Sequence, residues 1–316
     1  MLMLLKNCYN IQLMSINVGM MAPTITDCLL HNRIEVVRVL LQCDDVDIDL
    51  CDDNGCSSLY IASQKGHVDV VKELLQHSAD VNKCDNDDTS PLYIASQKGH
   101  VDVVKELLQH SADVNKCKHN GASPLSIASY NGHVNVNVVK ELLQHAADVN
   151  KCSFDGISPL QIACNNNMIE VVHVLLQCDN VEIDLCDDDG CSSLYQASQE
   201  GHVNVVKQLL QHSADVNKCD NNDVSPLYKA SQNGHVNVVK ELLQHSADVN
   251  KCDNNDVSPL YKASQNGHVN VVKELLQHSA DVNKCDDKGQ NPIHVAHKNG
   301  HLEIESLLII NSANQH

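Results

Sequence analysis

The chain has no tryptophan, a single phenylalanine (Phe154) and seven tyrosines among 316 residues, so aromatics make up only 3% of it. A core without large rings must be filled by Leu, Val, Ile and Ala, which suits thin layers better than one thick centre. Positive charge is scarce as well: 22 Lys and Arg face 41 Asp and Glu, for a formal net charge of −19. A nucleic-acid partner would need clustered Lys and Arg to displace counterions from phosphates, and an anionic membrane surface makes the same demand, so neither partner is expected. Long apolar runs are missing too. Met1–Leu5 is apolar but stops at Lys6, short of a secretory signal, and nothing approaches a membrane span. These absences describe a soluble, cytoplasmic chain. There is no Gly-x-Ser-x-Gly, His-Glu-x-x-His, phosphate-binding loop or dinucleotide fingerprint, so neither an enzyme nor a cofactor is expected.

What the chain does have is repetition, with a period of 33 residues. Asp220–Cys252 and Asp253–Cys285 are identical, and Asp85–Cys117, Asp187–Cys219 and Asp52–Cys84 are close copies. Lys118–Cys152 carries two extra residues within Val134–Asn137, and Ser153–Cys186 carries one near its end. With a degraded first copy over 18–51, a divergent last copy over 286–316 and a remnant segment over 1–17, this makes nine repeats bounded at 18–51, 52–84, 85–117, 118–152, 153–186, 187–219, 220–252, 253–285 and 286–316. The stretch from Gln42 returns at Gln177, so the first four repeats look like a duplicated block of the next four. A chain copied in blocks offers no unique residue set of the kind catalysis requires.

Each repeat has a physical reading. In the seventh, Ser225 is a good N-cap and Pro226 suits the first helical position, where its missing N–H is unpaired anyway. Leu227 and Ala230 share a face of a short helix that Gly234 ends in a left-handed conformation. A second helix begins near His235, with Val236, Val238, Val239, Leu242 and Leu243 on its apolar side. Helices this short do not persist alone in water, so they must pack on each other and on the next repeat. Ser246–Asp256 is a polar linking finger, rich in turn formers. Helix, turn, helix and finger, repeated, form a solenoid.

The segment SPLYKASQNGHVNVVKELLQHSADVN resembles the ankyrin repeat: a Thr-Pro-Leu-His start, an alanine, Gly-His, a Val/Leu helix, then Gly-Ala-Asp-Val-Asn, at this same period. The resemblance spans nearly the whole chain and implies a right-handed, all-α ankyrin-repeat solenoid with short hairpin-like fingers. Three departures stand out. Tyr60, Tyr93, Tyr195, Tyr228 and Tyr261 replace the opening His, which only His294 keeps. Ser78, Ser111, Ala146, Ser213, Ser246 and Ser279 replace the Gly before Ala-Asp, at a cost of about 1 kcal/mol each in a left-handed cap. Asp88, Asp223 and Asp256 replace the finger glycine.

Other residue patterns invite chemistry and fail on spacing. Cys51, Cys84, Cys117, Cys152, Cys186, Cys219, Cys252 and Cys285 close successive repeats. Packed helices lie about 8–10 Å apart, whereas a disulfide wants Cα atoms about 4.4–6.8 Å apart, so a cross-linked ladder is not expected. These thiols read as small half-buried residues or, by resemblance, as partner contacts at the finger root. Cys43, Cys51 and Cys56, returning as Cys178, Cys186 and Cys191, lack the second ligand pair of a zinc site. A calcium loop placing Gly190 at its sixth position would need ligands at Leu185 and Gln196, and one placing Gly55 there would need Leu50 and Ile61. His67, His100, His133, His202, His235, His268 and His301 follow the interhelical Gly or its equivalent; His77, His110, His145, His212, His245 and His278 end second helices, where a cation suits the dipole.

The resemblance implies that finger tips and first-helix faces form a concave groove for a partner protein. Its positions include Asn86, Asp87, Thr89, Gln97 and Lys98; Asn221, Asn222, Val224, Gln232 and Asn233; and Asn254, Asn255, Val257, Gln265 and Asn266. The acidic fingers favour a partner with a basic or amide-rich surface, although excess acid also serves solubility. The resemblance further implies hydroxylation of Asn82, Asn115, Asn150, Asn217, Asn250 and Asn283 by an asparaginyl hydroxylase, with Leu74, Leu107, Leu142, Leu209, Leu242 and Leu275 eight residues earlier; the plainer role of these asparagines is to tie the finger backbone. Two functions follow: a stand-alone, non-catalytic binding scaffold, or the repeat portion of a larger protein whose other domain acts as a ubiquitin ligase, kinase or channel. The apolar Met1–Leu5 and the run from Leu302 to Ile310 speak for the second, because terminal repeats should present a polar outer face.

Overall fold

A computed structural model describes residues 34–42 and 46–314. The expected remnant over 1–17, most of the expected first repeat, Cys43 and the side chain of His133 lie outside the described residues. The chain divides into two compact bodies, Met1–Asp148 and Val149–His316. The first holds α1 (Ile34–Leu40), α2 (Ser58–Lys65), α3 (Val68–Gln76), α4 (Pro91–Lys98), α5 (Val101–Gln109), α6 (Pro124–Tyr130) and α7 (Gly132–Gln144). The second holds α8 (Pro159–Asn165), α9 (Ile169–Leu176), α10 (Ser193–Glu200), α11 (Val203–Gln211), α12 (Pro226–Asn233), α13 (Val236–Gln244), α14 (Pro259–Asn266), α15 (Val269–Gln277), α16 (Pro292–Lys298) and α17 (Leu302–Asn314). The architecture is all-α, with helix pairs packing in succession. Within each body, first helices pack on first helices (α2 on α4, α12 on α14) and second on second (α3 on α5, α13 on α15). Among the described residues the fingers contain no strand, only two isolated antiparallel bridges, Cys51 with Ser57 and Cys186 with Ser192.

The local chemistry explains the elements. The Ser225 hydroxyl accepts the Tyr228 N–H at 3.1 Å ahead of Pro226, and the same cap recurs at Ser57, Ser90, Ser192 and Ser258. Gly234 closes α12 at φ 78°, and a Cβ there would stand 2.7 Å from Nδ1 of His268. The glycine therefore serves two needs, a left-handed stop and room for the ring of the next repeat. That ring donates from Nε2 to the Gln232 carbonyl at 2.9 Å; His100, His202, His235 and His301 reach back the same way to Gln64, Asn165, Gln199 and Gln265. The second helices carry Val238, Val239, Leu242 and Leu243, all buried, each contributing about 1.5–3 kcal/mol by leaving water. At their C-terminal ends His77, His110, His145, His212, His245 and His278 place Nδ1 2.9–3.0 Å from the carbonyl four residues earlier, as their position in the sequence suggested.

The insertion near Val134 has a simple outcome. Helix α7 runs for 13 residues against nine in α5, and Gly132 starts it instead of acting as a left-handed stop. The extra residues are absorbed as an added helical turn.

Candidate interaction face

Every acidic finger is organised by its first carboxylate. Asp220 Oδ1 accepts the N–H groups of Asn222 at 2.8 Å and Val224 at 2.9 Å; Asp52, Asp85, Asp187, Asp253 and Asp286 hold the equivalent pairs. In Asp220, Asp253 and Asp286 the other oxygen takes a hydroxyl from the preceding repeat. Tyr195 donates to Asp220 at 3.0 Å, Tyr228 to Asp253 at 3.0 Å and Tyr261 to Asp286 at 2.8 Å. One carboxylate thus shapes its own turn and ties it to the helix before it, which accounts for tyrosine where the ankyrin pattern has histidine. Tyr93 has no such partner, because Lys118 stands where an aspartate would. Beneath the fingers of the second body the Tyr195, Tyr228 and Tyr261 rings pack with Cys191, Val224, Val257 and Val295 into one apolar row.

Neighbouring tips are joined by single backbone bonds. The Asn86 N–H donates to Asn54 O at 3.0 Å, Asn221 to Asp189 at 3.0 Å, and Asn254 to Asn222 at 3.1 Å. At the finger root the asparagine amide oxygens span repeats: Asn82, Asn115, Asn150, Asn217 and Asn250 accept the N–H of Asp113, Asp148, Glu182, Asp248 and Asp281 at 2.8–2.9 Å. Asp49 and Asp184 do the same for Asp80 and Asp215 at 2.9 and 3.0 Å. Among the described residues Asn283, in the last finger of this series, makes no such bond to a following repeat; its N–H donates to Asp281 within its own finger.

The residues proposed from the sequence for a partner divide by exposure. Asn86, Asp87, Lys98, Asn221, Asn222, Asn233, Asn254, Asn255 and Asn266 are exposed, and Gln97, Gln232 and Gln265 are half-buried beside them. Thr89, Val224 and Val257 are only 4%, 9% and 9% exposed. They support the face from below, since the residue after the finger turn points inward beside the tyrosine ring. In the first body an open depression of about 490 Å³ is lined by Asp52, Asn54, Tyr60, Gln64, Asp85 and Asp87, among others. Two exposed aromatics went unassigned in the sequence reading. Tyr130, 54% exposed, stands where five other first helices carry Gln, and Phe154, 76% exposed, stands where the other fingers carry Asn (Asn86, Asn221, Asn254), Asp (Asp53, Asp188, Asp287) or His119. The signal was there: each is an aromatic at a polar repeat position in a chain poor in rings.

The described cysteines are free thiols. Cys51, Cys84, Cys117, Cys152, Cys186, Cys219, Cys252 and Cys285 each donate Sγ–H to the carbonyl two residues earlier, at 3.3–3.4 Å. Burial raises the thiol pKa of Cys51, Cys84, Cys186, Cys219 and Cys252, with a lysine of the following repeat or finger pulling part of the way back. Such thiols are poor nucleophiles. Among the described residues no group of His, Cys, Asp and Glu has metal-holding geometry, and no helix is long and apolar enough to cross a membrane.

A family model for ankyrin repeats, three copies per model, matches residues 25–117, 110–186, 179–253 and 246–316. The chain belongs to the ankyrin-repeat family. No curated protein matches it. Ankyrin repeats are in general protein-interaction modules and typically non-catalytic. In this ankyrin chain tyrosine for histidine makes the finger bond, and serine, or alanine at 146, holds the left-handed position where the family pattern has glycine, with φ of 62–67° at Ser78, Ser111, Ala146, Ser213, Ser246 and Ser279.

Proposed function

We propose that this protein is a non-catalytic scaffold holding a partner protein on the side formed by finger tips and first helices, with nine repeats bounded as above. The observation that carries the reading is the contrast between the two sides of a repeat. Lysines of the second helices are engaged by glutamates of the next repeat, Lys207 with Glu241 at 3.8 Å and Lys240 with Glu274 at 3.7 Å. The finger side presents exposed amides and carboxylates whose backbone is already fixed, so a partner meets donors and acceptors that need little ordering. A basic or amide-rich partner surface and a cytoplasmic setting complete the proposal; the free thiols are consistent with a reducing compartment. The test is affinity capture from native lysate with the folded variant Gln97→Arg/Gln232→Arg/Gln265→Arg as control. Loss of the partner set in the variant is the expected result; an unchanged set would move binding to another surface.

Hydroxylation of Asn82, Asn115, Asn150, Asn217, Asn250 and Asn283 is proposed alongside. Leu74, Leu107, Leu142, Leu209, Leu242 and Leu275 are at most 1% exposed, so an enzyme recognising them must first open the repeat. Intact-mass measurement after co-expression with an asparaginyl hydroxylase should show one added oxygen per modified repeat. An unaltered mass would refute the modification.

A further inference from the structure

A partner that reads only the repeated side chains meets nearly the same surface every 33 residues, so the repeats alone do not decide where it sits. One finger breaks the pattern. Phe154 is the only phenylalanine in the chain and is 76% exposed. The Gly156 N–H donates to Ser153 O at 3.1 Å and the Ser153 N–H to Ile157 O at 3.0 Å, which leaves Phe154 and Asp155 as the two tip residues of a tight turn. Two of the three asparagines at this position reach back with Nδ2 to a carbonyl of the preceding finger, Asn86 to Asp53 at 3.2 Å and Asn221 to Asp188 at 2.9 Å. A phenyl ring cannot make that bond, so its presence has no explanation in the stacking of the repeats.

Carboxylates flank the ring. Asp155 shares its turn, and the Asp188 N–H donates to Asp155 O at 3.2 Å, holding the next tip, Asp187–Gly190, alongside. Acids of several other fingers meet a cation supplied by the chain: Asp223 meets Lys251 at 3.2 Å, Asp256 meets Lys284 at 3.9 Å, and Asp88 lies 3.7 Å from His119. Among the described residues Asp155, Asp188 and Asp189 form no ion pair. This tip therefore combines an unpacked aromatic face with exposed, unneutralised carboxylates.

We infer that the Phe154 tip, with Asp155, Asp188 and Asp189, receives an arginine side chain of the partner protein and so fixes the partner's position along the repeats. A guanidinium is planar and weakly hydrated; it stacks on an aromatic face while its N–H groups reach carboxylates at the edge. An ammonium is a compact, strongly hydrated point charge and does not combine the two contacts. The inference rests on the finger-side reading above and names the partner chemistry for one part of that face.

The test uses two labelled peptides of equal length and charge, Gly/Ser chains carrying three arginines or three lysines, titrated by fluorescence anisotropy into the full chain and into Phe154→Asn. Asparagine is the residue three other fingers carry (Asn86, Asn221, Asn254), and a thermal melt by circular dichroism checks that the variant is folded. The arginine peptide should bind the unmodified chain about three- to fivefold more tightly than the lysine peptide. In Phe154→Asn that preference should vanish while the lysine peptide binds as before. Equal affinities on the unmodified chain, a preference that survives Phe154→Asn, or no binding of either peptide would each overturn the inference. If the preference is absent but the glutamine-to-arginine variant still loses its native partners, the finger-side reading stands and only the Phe154 assignment falls.

Discussion

Changing Ser78, Ser111, Ala146, Ser213, Ser246 and Ser279 to glycine together should raise the stability of the chain by about 3–6 kcal/mol. All six adopt φ between 62° and 67°, where a Cβ crowds the following carbonyl at about 1–2 kcal/mol per residue. Glycine returns part of that gain through its larger unfolded-state entropy, leaving a net of about 0.5–1 kcal/mol at each position. Nothing else is lost, because all six side chains are exposed and none makes a hydrogen bond that holds the next repeat. The sites lie a repeat apart, far enough for their effects to add. The measurement is the urea midpoint at unchanged slope. A midpoint that stays put would mean these caps are not strained. Asp88, Asp223 and Asp256, at φ 58–59°, are a different case, since Asp223 and Asp256 also pair with Lys251 and Lys284.

The triple variant Tyr195→Phe/Tyr228→Phe/Tyr261→Phe should lose about 3 kcal/mol at neutral pH, roughly 1 for each hydrogen bond to a partly exposed carboxylate. Its more telling signature is in base. Burial first, and then the adjoining aspartate, pushes the Tyr261 hydroxyl up to about 12 and raises Tyr60, Tyr195 and Tyr228 as well. A phenol whose pKa is higher in the folded state contributes stability that is complete below its ordinary value of about 10 and is lost as pH rises through the folded value. The unmodified chain should therefore weaken from about pH 10 to about pH 12, whereas the triple variant, with three of these phenols gone, should be weaker at neutrality yet flatter in base. Urea midpoints at neutral pH and at about pH 11 decide the matter. Parallel losses in both proteins would remove the tyrosine–aspartate bonds from the account. Asp286 adds a smaller acid-side effect: burial alone would raise its pKa, but the N–H groups of Gln290 and Lys288 and the Tyr261 hydroxyl hold it below the ordinary carboxylate value. That contribution is present above the ordinary value and lost as pH falls through the lowered one.

The elements were legible because each is written locally. Ser225, Pro226 and Gly234 mark the bounds of α12 by their own backbone chemistry, and Val238, Val239, Leu242 and Leu243 declare a buried face by spacing. The left-handed serines and aspartates could be located because each sits where the repeat pattern has glycine. The contacts between repeats were harder to see. That Asp220 serves its own turn and also Tyr195, 25 residues earlier, depends on the distance between stacked helices, which no local pattern encodes. For the same reason Val224, Val257 and Thr89, adjacent to exposed tip residues in sequence, were placed on the face and lie under it.

These inter-repeat bonds run at constant sequence offsets: 25 residues from tyrosine hydroxyl to aspartate, 36 from histidine ring to carbonyl, and 31 from finger N–H to asparagine in the regular repeats. Excising Asp220–Cys252 would bring Asp253 to the same distance from Tyr195 that Asp220 holds now, and every bond at the seam would re-form between identical groups. The chain is in this sense a cassette, whose length can change by whole repeats through recombination between identical segments, with each product inheriting a complete set of joints.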